Sequence, residues 1–264
     1  MSLDLTAIAE ALGSPVQSAT PLAGGDISGA TRMTLEDGRE IVTKAGPLVE
    51  VEARMLRAIA GTGAPSPAVL AEGDGWFAME WIEASGGARW HALTETLRVL
   101  HRPVNQACGW DEDYAFGPVT MPNAPCTDWA QFWTERRLLC HLPHIEPAIG
   151  RRIERLCSRI DELLPGNPLI SLLHGDLWGG NIIWSGAQAI LIDPASYYGH
   201  REVDIAMLTL FDHPPDSFFE AQDLESGWSE RQPLYRLWPW LVHLRLFGGS
   251  YRGTVERELA ALGF

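Results

Sequence analysis

Short extended segments fill the chain up to about residue 83, and helical periodicity fills most of the remainder. That segregation constrains the fold more than any other feature, because strands and helices kept apart in sequence build an α+β architecture. Residues 31–35 and 40–44 flank Glu36-Asp37-Gly38-Arg39. An Asp-Gly pair between extended runs signals a hairpin, since glycine takes positive φ at little cost. Residues 68–71 and 76–82 form a second strand pair across Gly73-Asp74-Gly75. Residues 49–59 carry Val49, Glu52, Ala53 and Leu56 at helical spacing, with Gly61 as the exit. Residues 3–12 read as a small amphipathic helix ended by Gly13, Ser14 and Pro15. The expectation is a five-stranded antiparallel sheet with one helix.

Past Glu83, the run Ala84-Ser85-Gly86-Gly87 reads as a hinge or linker. Helices are expected over 93–101, 128–141 and 147–164, the last with Ile149, Ile153, Leu156, Ile160 and Leu163 on one stripe. Pro147 suits its first turn and Gly166 its exit. Residues 103–126 are looser and rich in Gly, Pro, Asp and Asn, while 169–173 and 189–192 suit buried strands. Two more helices are expected over 232–262. The predicted fold is bilobal: a small sheet-plus-helix lobe over 1–82 and a larger, mainly helical lobe over 83–264.

The formal charge of −14 disfavours nucleic acid as a partner, because a binder needs cations to displace phosphate counterions. It favours cationic over anionic small substrates through long-range attraction. Hydrophobic residues at 46% and charged residues at 20% are ordinary for a globular chain. The eleven tryptophans belong in a core or a cleft wall. No stretch reaches the roughly 18 apolar residues that span a bilayer, and residues 1–12 lack a basic leader, so a cytoplasmic protein without membrane contact is expected. Cys108, Cys126, Cys140 and Cys157 lack CxxC spacing, which predicts free thiols and no structural zinc.

The chemistry concentrates in His174-Gly175-Asp176-Leu177-Trp178-Gly179-Gly180-Asn181 and in Leu191-Ile192-Asp193-Pro194. Phosphoryl transfer needs a carboxylate to accept the incoming hydroxyl's proton, and oxygen ligands for the nucleotide's metal. Asp176 suits the first role. The amide of Asn181 and the carboxylate of Asp193 suit the second, since Mg²⁺ takes few protein oxygens. The competing reading is a pair of ordinary loops, where Asp and Asn are common. In the N-terminal lobe, Gly24, Gly25 and Ile27 lie in a glycine-rich stretch whose amides can approach ATP phosphates. Lys44, the only lysine in the chain, is placed to bind the α/β-phosphates, with Glu52 to pair with it. Glu80, Trp81 and Ile82 sit on the strand whose backbone would meet the adenine.

The narrower pattern runs His174-Gly-Asp-Leu-Trp-Gly-Gly-Asn181, then Leu191-Ile-Asp-Pro-Ala-Ser-Tyr-Tyr-Gly-His-Arg-Glu-Val-Asp-Ile-Ala-Met207. With Gly24-Gly-Asp-Ile27 and the tail from Pro233-Leu-Tyr to Leu246-Phe-Gly-Gly-Ser-Tyr251, the chain resembles the fructosamine kinase (ketosamine kinase) group. Those proteins are relatives of the aminoglycoside phosphotransferases within the protein-kinase-like fold. The resemblance implies ATP- and Mg²⁺-dependent phosphorylation of a sugar hydroxyl on a fructosyl- or ribulosyl-amine, free or protein-bound, in deglycation repair. It also implies that Asp204 braces the catalytic loop. Asp193-Pro-Ala stands where protein kinases have Asp-Phe-Gly, and Asp26 where some relatives carry cysteine.

Other residues keep two readings. His174 either positions the loop by hydrogen bonding or moves protons. Trp178 either walls the acceptor pocket or packs. Trp129, Phe132 and Trp133 are core or pocket. Three rival functions are a kinase for an aminoglycoside, choline or similar amino alcohol, a metal-dependent hydrolase using His174, Asp176, His200 and Asp204, and a kinase-shaped binding module. Oligomeric state is not legible.

Overall fold

The structure is a computed structural model that describes residues 4–22 and 29–264. The expected phosphate loop with Gly24, Gly25 and Ile27 lies outside the described residues. In chain order the elements begin α1 (Leu5–Leu12), β1 (Val16–Pro21), β2 (Gly29–Leu35), β3 (Glu40–Ala45), α2 (Val49–Thr62), β4 (Val69–Gly73), β5 (Trp76–Glu80) and α3 (Trp90–Leu100). Next come β6 (Tyr114–Phe116), β7 (Val119–Met121), α4 (Trp129–Trp133), α5 (Pro147–Cys157), α6 (Ile160–Leu163), β8 (Ile170–Leu172), β9 (Ile182–Ser185) and β10 (Gln188–Leu191). The chain closes with β11 (Tyr198–His200), α7 (Glu202–Leu208), α8 (Asp216–Glu220), α9 (Trp228–Phe247) and α10 (Arg252–Ala261).

Contacts divide the chain into one unit of residues 1–99 and 180–194, and a second of 100–179 and 195–264. The expected boundary after residue 82 falls inside the first of these units. The β9–β10 hairpin, late in sequence, packs within the first unit. Leu191 donates its N–H to Pro65 O at 2.9 Å, Thr96 Oγ1 bonds Ala189 O at 2.9 Å, and Ser85 N–H reaches Trp184 O at 2.7 Å. A boundary drawn along the sequence cannot capture such long-range pairing.

Five antiparallel strands in the order β1-β2-β3-β5-β4 form the main sheet of the first unit. Alternation along the strands makes two apolar faces. Met33, Leu35, Ile41, Trp76 and Ala78 pack with Ile8 of α1, while Val42, Phe77 and Met79 pack with Val49, Ala53 and Leu56 of α2. The sheet thus carries a helix on each face, not one helix in all. Asp4 caps α1 by accepting from Thr6 and Ala7 N–H, and Gly13 (φ 70°) ends it. Helix α2 runs through Gly61 and stops at Gly63, whose φ of 89° favours glycine.

Helices built on one aromatic and aliphatic core dominate the second unit. Trp129, Phe132 and Trp133 are buried in that core, which decides their reading as packing. The helix expected over 128–141 is not continuous: α4 gives way to a π-helical turn, Thr134–Leu138, then to a 3₁₀ segment, Leu139–His144, containing Pro143. Along the π turn, Arg137 lies in the interior over the rings of Tyr197 (4.1 Å) and Phe132 (4.7 Å). It donates to Pro122 O at 2.7 Å and Asn123 Oδ1 at 2.8 Å. The 147–164 stripe also breaks, at Ser158–Arg159 between α5 and α6. Residues 103–126 hold the β6–β7 hairpin. Among the described residues, no helix is long and apolar enough to cross a membrane.

Candidate active site

Lys44 lies near the end of β3, where its side chain enters the buried α2 side of the lobe. Its ammonium donates to Glu52 Oε1 of α2 at 2.5 Å and to Asp193 Oδ1 at 2.8 Å. The Lys44 and Glu52 side chains are 2% and 3% exposed, whereas that of Asp193 is 32% exposed. Burial works against the Lys44 charge, but the two carboxylates outweigh it and raise its pKa. The amine is held as a buried, fixed cation.

The β9–β10 hairpin brings together the two candidate metal ligands. Ile182 pairs with Leu191, and one step further Ile192 donates its N–H to Asn181 O at 3.1 Å. Asn181 and Asp193 thus stand at the open end of one hairpin, with Asn181 bonded to the residue just before Asp193. Asp193 adopts φ 55°, one of two non-glycine residues with positive φ among those described. A left-handed aspartate costs of order 1–3 kcal/mol and marks a place where geometry matters. Lys44, Glu52, Asn181 and Asp193 all belong to the first unit.

Asp176 belongs to the second unit, on the loop after β8. Asp204, fully buried in α7, holds that loop by its backbone: His174 N–H meets Oδ2 at 2.8 Å and Gly175 N–H meets Oδ1 at 2.9 Å. His101 Nε2 lies 2.9 Å from Oδ2. Burial alone would push the Asp204 carboxyl up, but His101, His174 and the Gly175 amide hold it below the usual carboxylate range. His174 Nδ1 in turn accepts the Asp176 N–H at 3.3 Å, so the imidazole is engaged within the loop. At Gly175 (φ 80°) a Cβ would lie 2.0 Å from Ala195 O, which requires glycine. Ala195 N–H closes the contact on His174 O at 3.0 Å.

The far end of the loop is tied by Asp212, whose Oδ2 accepts the Gly179 N–H at 2.7 Å. Trp178 is 37% exposed and meets Phe211 edge-on, with centroids 6.0 Å apart. Glu80 ends β5 opposite Ile41, and Ile82 lies just past the sheet. The Trp81 indole donates to Glu83 at 2.9 Å and stacks under Arg32 at 4.0 Å. His101 and Asp212 escaped sequence reading. Each acts on a backbone amide or a carboxylate far away in the chain, and neither belongs to a spaced motif.

A metal centre at His200 finds little support in the surrounding charge. His200 Nε2 lies 3.7 Å from both Glu202 and Glu225, but Glu202 is bound bidentately by Arg231 at 2.6 and 2.8 Å. Asp204 has both oxygens engaged, which leaves the hydrolase set of His174, Asp176, His200 and Asp204 without a coherent cradle.

A family model described as fructosamine kinase matches residues 3–262. The chain is 32% identical to a probable ketoamine kinase of Lactiplantibacillus plantarum, over 98% of this chain and 99% of that one. It is 30% identical to a chloroplastic protein-ribulosamine 3-kinase of Oryza sativa subsp. indica, over 94% and 79% respectively. Among solved structures, a Thermobifida fusca protein assigned as a fructosamine-3-kinase superposes with a TM-score of 0.90 at 31% identity, covering 98% of this chain and 97% of that one. The amicoumacin kinase hAmiN, at 14% identity and a TM-score of 0.65 over 98% and 92%, shares the protein-kinase-like fold. With a match that runs nearly from end to end, the chain belongs to the fructosamine kinase family.

Proposed function

We propose that this chain transfers the γ-phosphoryl group of ATP to a sugar hydroxyl of a ketoamine, a fructosamine or ribulosamine, in the repair of glycated amines. As a member of its family it is an ATP-dependent phosphotransferase. The observation that carries the reading is Lys44, buried and held between Glu52 and Asp193. A buried charge paired on two sides is costly to assemble, and apolar packing would serve stability as well.

In this reading Asp176 accepts the hydroxyl proton as the new P–O bond forms and the γ-phosphorus separates from the β,γ-bridging oxygen, which leaves on ADP, in direct transfer without a phosphoenzyme. Lys44 supplies a fixed positive charge for the α/β-phosphates, oriented by Glu52. The amide oxygen of Asn181 and the carboxylate of Asp193 are hard donors on one hairpin, and that donor set fits Mg²⁺. Asn181 and Asp193 would hold Mg²⁺, which would supply charge neutralisation for the nucleotide's phosphates. Asp204, His101 and Asp212 fix the loop, so Asp176 does not have to be ordered at each turnover. Trp178 is assigned to the acceptor wall, and Glu80 to Ile82 to the adenine. The glycine-rich stretch with Gly24, Gly25 and Ile27 is assigned to the phosphates on sequence alone. The protein is assigned to the cytoplasm.

The test is ATP consumption with fructosyl-lysine, ribulosyl-lysine and kanamycin supplied in parallel. Turnover with either ketoamine and none with kanamycin is expected; a preference for kanamycin would displace the substrate assignment.

A further inference from the structure

Cys108 and Cys126 face each other across an antiparallel bridge. Both main-chain bonds of the pair are made, Cys108 N–H to Cys126 O at 2.8 Å and Cys126 N–H to Cys108 O at 2.9 Å. A hydrogen-bonded antiparallel pair holds its Cα atoms about 5.5 Å apart, inside the range of about 4.4–6.8 Å that a disulfide spans. Cys108 is buried in the core of the second unit, and the partly buried Cys126 packs against the same cluster. No other two of the four cysteines are bridge partners among the described residues.

We propose that Cys108 and Cys126 are a modification site: a reversible intramolecular disulfide formed by exchange with a small-molecule disulfide such as oxidised glutathione. The Cys126 thiolate attacks one glutathione sulfur, the S–S bond breaks, and the departing glutathione thiolate takes up the proton that Cys126 released. Cys108 then loses its proton and attacks the Cys126 sulfur, expelling the second glutathione, which takes that proton. Two protein thiols are oxidised and one glutathione disulfide is reduced to two thiols. Exposure sets the order. Burial, reinforced by the nearby Cys126 and Asp128, pushes the Cys108 thiol up to about 12, so it is a poor first nucleophile. It is suited to resolve a mixed disulfide already seated beside it.

Two features make the bond reversible and consequential. Facing Cβ atoms in antiparallel pairs sit about 4.5–5.5 Å apart, with hydrogen-bonded pairs toward the wider end, and relaxed disulfides need about 3.5–4.5 Å. A disulfide that joins a pair at the wider end is strained and more readily reduced than a relaxed one. Gly109, the next residue, exchanges both backbone bonds with Tyr198 (2.8 and 2.9 Å), and Tyr198 pairs with Leu172 just before the catalytic loop. A disulfide at Cys108 would staple the strand ladder on which His174 to Asp176 are mounted.

The experiment treats the full chain with oxidised glutathione and maps peptides without reduction. A Cys108–Cys126 cross-link is expected in the wild type, removed by dithiothreitol. Cys108→Ser should stop at a stable glutathione adduct on Cys126, and Cys126→Ser should give neither product. In the oxidised wild type, amide exchange at Gly109 and Tyr198 should slow by about tenfold or more relative to the reduced protein. A wild type that carries only the Cys126 adduct, or that links either residue to Cys140 or Cys157 instead, would overturn the proposal.

Discussion

The candidate residues of the two units are held in place by opposite means. In the first unit a side chain is positioned by side chains: Lys44 sits between two carboxylates, from α2 and from just past the end of β10. In the second unit a backbone is positioned by one side chain: Asp204 gathers the amides of His174 and Gly175. In the proposed reading the Lys44 cation meets phosphate, and the two carboxylates hold its charge in place for that contact. In the same reading the loop carries the base Asp176, and hydrogen bonds to its main chain hold it still.

Substitutions can break this contrast, beginning with the largest effect. Asp176→Asn should lower kcat by about 10²–10⁴-fold while calorimetry still detects ATP binding; retained turnover would remove Asp176 from its role. Lys44→Met leaves Glu52 and Asp193 without their cation. Urea titration should show a loss of about 3–5 kcal/mol, typical of a broken buried pair, together with weaker ATP binding. Adding Glu52→Gln to that variant should restore part of the stability but none of the binding. If the stability stays lost, the cluster is packing rather than charge.

Asp204→Asn should act on the loop instead. An amide cannot accept on both sides, so one backbone N–H is left unpaired at a cost of about 1–3 kcal/mol. Steady-state kinetics should show kcat falling with KM for ATP unchanged. The same substitution tests linkage. The native Asp204 carboxyl is depressed, so its contribution is present above the unfolded value of about 3.9 and disappears as pH falls through the lower folded value. The variant should lack that acid-limb loss.

A smaller effect separates both clusters from the rest of the core. His141 is buried, and burial, with Arg245 and Arg137 nearby, pushes its pKa down to about 3. Between an unfolded value of about 6.5 and that pH, the unfolded chain binds a proton that the folded chain does not. Stability should therefore fall as pH drops, by about 1 kcal/mol from roughly pH 6.5 to 5.5. His141→Asn should flatten the slope without altering KM for ATP; an unchanged slope would place the loss elsewhere.

The strands, the Asp-Gly turn and the Lys44–Glu52 relation were legible because each is local or has a fixed spacing. The π turn at Thr134–Leu138 was not, because a stripe of apolar residues reads as continuous helix whether or not one turn is widened. The hairpin's membership of the first unit was also hidden, since it depends on bonds from Pro65, Ser85 and Thr96 to residues about a hundred positions away. The residues around Asp176 could be named from their motif. Those that steady it, His101 and Asp212, are single polar side chains whose importance comes from where the fold delivers them.

Lys44 has a consequence outside its own site. Reducing sugars add to neutral, accessible amines, and the only ε-amino group in this chain is buried, protonated and clasped by two acids. Arginine fills the other nineteen basic positions. A catalyst that works among glycating sugars would thus present no lysine side chain on which a ketoamine can form, and would not compete with its substrates for its own active site.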